Sequence, residues 1–148
     1  MYTPPDALLP AYRHMLETLG VERAVLVQPS VYGSDNTVML NAMAQLDRQC
    51  RGVAVVDDDV SDAELKRLHD AGVRGVRINV VDVAQDKGVI PIAPISRLAH
   101  RIKRFGWHAE FLMHADEFPD LDRTFADLPV DVVLGHLGYM RTDKGLED

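Results

Sequence analysis

The sequence predicts an α/β chain built on parallel strands, and three features carry that reading. Short apolar runs rich in β-branched residues alternate with stretches whose apolar positions recur at helical spacing. The runs are nearly continuous in apolar residues, as in parallel strands covered on both faces. Their order is helix, then strand and helix repeated, then a final strand. An open doubly wound sheet and part of an eight-stranded barrel both fit this arithmetic. The open sheet would ordinarily carry a glycine-rich phosphate loop after an early strand, and neither G-x-G-x-x-G nor G-x-x-x-x-G-K-[ST] occurs.

Composition narrows the function classes. With 148 residues, 47% hydrophobic and 26% charged, residues 1–148 read as a single globular domain with an ordinary core. A formal net charge of -7 and a sequence pI near 5.3 argue against nucleic acid or an anionic membrane surface as partner, because either would repel the average surface. Cys50 is the only cysteine, which leaves no intrachain disulfide and no cysteine-based zinc cluster and fits a reducing cytoplasm. No apolar run approaches the roughly 18 residues of a membrane span, and residues 1–6 lack a signal-peptide pattern. A cytoplasmic location is expected.

Each element follows from local chemistry. Thr3, Pro4, Pro5 and Asp6 resemble a helix start, Pro10 suits a first turn, and Tyr12, Met15, Leu16 and Leu19 recur at helical spacing up to Gly20. Residues 24–28 form a short buried strand, followed by a loop, residues 29–36, rich in turn formers and hydrogen-bonding groups. Ser34 or Asp35 caps the next helix, residues 36–49, whereas Ser30 and Tyr32 come too early to cap it and are candidate ligand contacts. Residues 53–56 are the next strand. The acidic Asp57-Asp58-Asp59 run after it could suggest a metal site, but Ser61 with Glu64 makes a capping box, so the acids read better as a solvated loop at a helix N-terminus. Leu65 and Leu68 are that helix's apolar positions, and His69 near its last turn could face the negative end of the dipole.

The stretch GVRGVRIN, residues 72–79, reads as a strand with Arg77 and Asn79 on one face. An arginine late in an apolar strand needs a partner, because burying a lone guanidinium is costly. A bound carboxylate is placed slightly ahead of a structural one, since the planar fork suits either. Residues 80–92 are long for a connection and could form a flap. Pro94 opens a helix carrying Ile95, Leu98, Ala99, Ile102 and Phe105. In the strand GWHAEFLMH, residues 106–114, His108 lies at the early end and suits stability. Glu110 is mid-strand and demands a partner such as Arg77, and His114 is at the tip. A short helix over residues 118–125 leads to VDVVLGHLG, residues 130–138. There an apolar run ends in His136 between two glycines, at the strand edge where parallel α/β sheets bind ligands. The competing reading of His136 is a capping histidine bonded to a carbonyl.

AVLVQPSVYGSDN, GVRGVRIN, GWHAEFLMH and VDVVLGHLG together resemble successive strand ends of the amidohydrolase superfamily, most of all its branch of 2-pyrone-4,6-dicarboxylate lactonases. The resemblance implies a partial (β/α)8 TIM barrel with five parallel strands and intervening helices, running from the first helix through the sixth strand. On this reading strand 1 and strands 7 and 8 are lacking. It also implies a hydrolase acting on a cyclic ester of a small carboxylated acid. His136 then corresponds to a sixth-strand histidine that ligates a metal in many members and polarises the scissile carbonyl in the lactonase branch. Arg77 corresponds to an arginine holding a substrate carboxylate, and Ser30 to a residue hydrogen-bonding substrate. Tyr32, Asn79, Glu110 and His114 are the further substrate-binding candidates.

The family's first-strand His-x-His pair and eighth-strand aspartate base have no counterpart here. A divalent metal such as zinc is therefore expected only in a full-length protein, with His136 as its candidate ligand. The isolated chain is expected to lack lactonase activity and to self-associate through unpaired sheet edges. The alternatives are a non-catalytic remnant or partner subunit that keeps the anion pocket, and a metal-dependent decarboxylase of the same superfamily.

Overall fold

The computed structural model describes residues 6–46, 50–81 and 89–141. Five helices, α1 (Leu9–Thr18), α2 (Thr37–Leu46), α3 (Asp62–Asp70), α4 (Ile92–Ile102) and α5 (Leu121–Phe125), alternate with five strands. The strands are β1 (Ala24–Val27), β2 (Cys50–Ala54), β3 (Val73–Asn79), β4 (His108–Leu112) and β5 (Val132–Leu134). All pair in parallel, and their order across the sheet is β1-β2-β3-β4-β5. A doubly wound sheet reverses its strand order at a switch point, and this sheet never does. It is wound one way, as a barrel wall is.

Right-handed crossovers then put the helices on one face. There Met39 and Met43 of α2, Leu65 and Leu68 of α3 and Ile102 of α4 pack with Ala54 and Val76 of the sheet. A second cluster joins Ile95 of α4 to Ala109 and Phe111 of β4, with the Phe111 and Phe125 rings 4.4 Å apart. Each fully buried side chain of this kind contributes about 1.5–3 kcal/mol. The Ser61 hydroxyl accepts from the Glu64 amide at 3.1 Å, as the capping box requires, while the Glu64 carboxylate turns to Arg67.

Several sequence expectations need correction. β1 is not a buried strand: Val25 is 59% exposed, because β1 ends the described sheet and no layer covers its other face. β5 is likewise half open, with Val133 and Leu134 both exposed, and it stops at Leu134, short of His136. β2 begins at Cys50 rather than residue 53, because the ladder with residues 24–27 holds three residues that lack an apolar pattern. The α1 stripe packs loosely, with Met15 and Leu19 exposed. Pro94 lies inside the first turn of α4 instead of opening it, where its missing N–H costs nothing. His69 does lie in the last turn of α3, and it also accepts a hydrogen bond from Trp107 Nε1 at 3.1 Å. The expected helix start at residues 3–5, the end of α2 at residues 47–49 and most of the expected flap, residues 82–88, lie outside the described residues.

Candidate active site at the strand ends

Parallel pairing brings the C-terminal ends of all the strands to one edge, and the candidate residues gather there. Arg77 and Glu110 face each other in register across β3 and β4. Arg77 Nε donates to Glu110 Oε1 at 2.8 Å, and Nη2 lies 2.8 Å from the same oxygen. Their side chains are only 11% and 10% exposed, so neither charge is sustainable without the other. The carboxylate expected for Arg77 is thus first of all the chain's own, which corrects the order in which a bound anion stood ahead. Among the described residues the third guanidinium nitrogen, Nη1, makes only a long 3.4 Å contact with the Gln28 carbonyl. Two residues before this pair on each strand, His108 lies across Gly75, where an added Cβ would come within 2.5 Å of its ring. His108 fills the sheet's inner face away from the C-terminal edge, as expected.

At the tip of β3, Asn79 Nδ2 donates to the Ser30 hydroxyl at 3.1 Å. Ser30 is presented by a short turn, Ser30–Tyr32, on which Tyr32 is about half exposed. Two buried amides fix that loop. Gln28 Nε2 donates to the carbonyls of Gly33 and Asp35, at 3.2 and 2.7 Å. Asn36 donates to Ser34 and Val55 carbonyls and accepts from the Val55 amide, tying the loop to the end of β2. The Asp35 carboxylate accepts from the Thr37 amide at the start of α2, and hydrogen bonds from Thr37, its side chain first and its amide second, hold that carboxyl below the ordinary range. Beside Arg77 and Asn79 opens a cleft of about 650 Å³, walled also by Asp57, Asp58, Ile95 and Leu98.

After β5 the chain makes a left-handed turn, Gly135–Tyr139. The φ angles are 52° at His136, 53° at Leu137, 70° at Gly138 and 49° at Tyr139. The three non-glycine residues each cost about 1–2 kcal/mol in this conformation. Such strain persists only where the surroundings impose it. Gly138 is required doubly, since its φ is positive and a Cβ would lie 2.8 Å from that of Ala115. Gly135 abuts Glu110, whose Oε1 lies 3.3 Å from where a Cβ would be, so His136 leaves the strand immediately beside the Arg77–Glu110 pair. The His136 ring is exposed and stacks on Tyr139 at 4.9 Å and 16°. His114, two residues past the end of β4 and so not on the strand tip expected for it, meets the same Tyr139 ring at 5.3 Å.

Ser30, Arg77, Asn79, Glu110, His114 and His136 therefore share one edge of the sheet, in three subgroups: Arg77 with Glu110, Asn79 with Ser30, and the two histidines joined through Tyr139. Gln28, Asn36 and Tyr139 are participants that sequence reading missed. A short-range signal existed only for Tyr139, three residues after His136. No group of three His, Cys, Asp or Glu side chains among the described residues converges to hold a metal. A hydrolytic zinc needs about three protein ligands, so these residues do not by themselves fit one.

The family model described as amidohydrolase matches residues 1–148. The chain belongs to the amidohydrolase family. This amidohydrolase chain is 40% identical over 146 residues to a 2-pyrone-4,6-dicarboxylate hydrolase of Comamonas testosteroni, a match covering 99% of the chain and 47% of the relative. It is 30% identical to a 4-sulfomuconolactone hydrolase of Rhizobium radiobacter, covering 98% of the chain and 48% of the relative. Among solved structures, one from Pseudomonas putida described as a 2-pyrone-4,6-dicarboxylic acid hydrolase superposes with a TM-score of 0.84 at 36% identity, covering 98% of this chain and 53% of that one. A second, from Acinetobacter baumannii, carries the same description and holds citric acid; it superposes with a TM-score of 0.79 at 27% identity, covering 93% and 51%. The amidohydrolase chain spans about half the length of the curated relatives it matches. No helix among the described residues is long and apolar enough to cross a membrane.

Proposed function

We propose that this chain supplies the carboxylate-binding and carbonyl-polarising part of a lactone hydrolase site, for a small cyclic ester bearing carboxylate groups. The observation that carries the reading is the state of Arg77: Glu110 locks its guanidinium at the sheet edge through one side, while Nη1 keeps only its long contact with Gln28. A guanidinium held this way is pre-organised, and its less occupied edge presents N–H groups to an incoming carboxylate. The relatives' substrates, a pyrone dicarboxylate and a sulfonated muconolactone, are both anionic lactones, and the Acinetobacter protein holds a tricarboxylic acid.

In this reading Arg77 orients the substrate through its carboxylate, and the Ser30 hydroxyl, Tyr32, Asn79 and His114 complete the binding surface. His136 donates a hydrogen bond to the ester carbonyl oxygen, where negative charge grows as water attacks. Glu110 is committed to Arg77 and serves as its anchor rather than as a base.

The test is turnover of 2-pyrone-4,6-dicarboxylate by the protein carrying this chain, followed by the loss of pyrone absorbance. His136→Asn is expected to lower kcat by about 10²-fold, the magnitude of removing one oxyanion donor, and Arg77→Ala to act mainly on KM. Absence of turnover, or turnover indifferent to His136→Asn, would remove the reading.

A further inference from the structure

We propose that Tyr139 is the positioning residue of His136, and that the left-handed turn exists to bring the two rings together. The inference rests on the hydrolase reading for the role of His136 but not for the geometry. Among the described residues no hydrogen bond holds either ring nitrogen of His136 or of His114. A histidine that must present one nitrogen to a substrate usually has the other nitrogen fixed by a carbonyl or carboxylate. Here that constraint is missing, and the contact in its place is the face of Tyr139, nearly parallel at 16° and 4.9 Å.

The backbone explains how the contact arises. Residues three apart come to lie over one another only when the chain between them completes a helical turn. A chain leaving β5 in extended conformation would send His136 and Tyr139 apart. A right-handed turn would carry the following residues along a different path from the one pinned by Gly135 against Glu110 and Gly138 against Ala115. Four successive positive φ values close the turn left-handed, and the ring of Tyr139 arrives on His136.

Tyr139 also touches His114, which comes from the loop after the neighbouring strand. One ring thus aligns two imidazoles from two loops. Tyr139 is 40% exposed, so it is no core residue, and replacing it leaves the packed clusters intact. An aromatic in this place holds a ring plane without taking up either imidazole nitrogen, so both stay available to substrate.

The test compares Tyr139→Phe with Tyr139→Leu, using imidazole proton resonances assigned through His136→Asn and His114→Asn. In the unaltered protein the His136 ring protons are expected upfield of free histidine through the Tyr139 ring current. Tyr139→Phe keeps that shift, and Tyr139→Leu loses it. In turnover, Tyr139→Phe is expected to match the unaltered protein, while Tyr139→Leu lowers kcat about tenfold or more with KM nearly unchanged, as expected for a displaced catalytic group. A His136 shift that survives Tyr139→Leu overturns the inference, and so does an unchanged kcat in that variant. If the shifts behave as stated but the unaltered protein turns over no lactone, the hydrolase reading fails while the Tyr139–His136 positioning stands.

Discussion

Arg77 and Glu110 sit directly opposite each other on β3 and β4, and two guanidinium nitrogens, Nε and Nη2, converge on a single carboxylate oxygen at 2.8 Å. Breaking such a pair from one side leaves an uncompensated charge, at a cost of about 3–5 kcal/mol when burial is nearly complete. Glu110→Ala is therefore expected to lose about 3 kcal/mol of stability in urea unfolding. The double change Glu110→Leu with Arg77→Met should recover much of it. A loss as large in the double variant as in the single would show that packing, not the stranded charge, sets the cost.

Trp107 is the sole tryptophan, only 2% exposed, and its indole N–H ends on His69 Nδ1 at 3.1 Å. Replacing His69 with Leu leaves that donor buried and unpaired, which costs about 1–3 kcal/mol. Intrinsic fluorescence should follow the change directly, and His69→Gln, which offers an acceptor again, should restore part of the stability. Equal stability of His69→Leu and the unaltered protein would make the bond energetically idle.

The α3 region gives the chain an acid-sensitive component. Hydrogen bonds from Arg101 hold the Asp62 carboxyl below its ordinary value of 3.8, and Arg67 does the same for Glu64 relative to 4.5. Lys66 lowers Asp70 likewise. A lowered folded-state value means the stabilisation is present above the ordinary values and disappears as pH falls through the lowered ones. Unfolding followed from pH 4.5 downward should therefore show a decline that the combined variant Asp62→Asn, Glu64→Gln, Asp70→Asn flattens. An equally steep decline in that variant would place the acid sensitivity elsewhere.

Much of the site was legible because strand periodicity is strict. Alternation put Arg77 with Asn79 on one face, and a mid-strand Glu110 could only be explained by a cation, which turned out to be Arg77. The Ser61–Glu64 spacing specified a helix start that the Ser61 hydroxyl makes. The turn after β5 was not legible, because Leu137 and Tyr139 do not favour positive φ and the modest enrichment of histidine there does not specify a turn of four such residues. Strain of this kind is imposed by packing, here of Gly135 on Glu110 and Gly138 on Ala115. Gln28 and Asn36 escaped for a related reason: a buried amide gains its meaning from the carbonyls around it, and those come from other segments. The exposure of β1 and β5 was missed because an apolar run says how a strand would be buried, not which strands stand at the ends of the sheet.

Arg77, anchored by Glu110, is proposed to hold the carboxylate of a small cyclic substrate. Isothermal calorimetry with 2-pyrone-4,6-dicarboxylate measures this most directly, on the unaltered protein and on Arg77→Lys and Arg77→Ala. The expected result is a loss of roughly 2–5 kcal/mol of binding free energy for Arg77→Ala, with only partial recovery in Arg77→Lys, because an ammonium cannot serve Glu110 and a second carboxylate with one planar fork. Affinity unchanged in a folded Arg77→Ala protein would rule out that role and leave Arg77 as the structural partner of Glu110 alone.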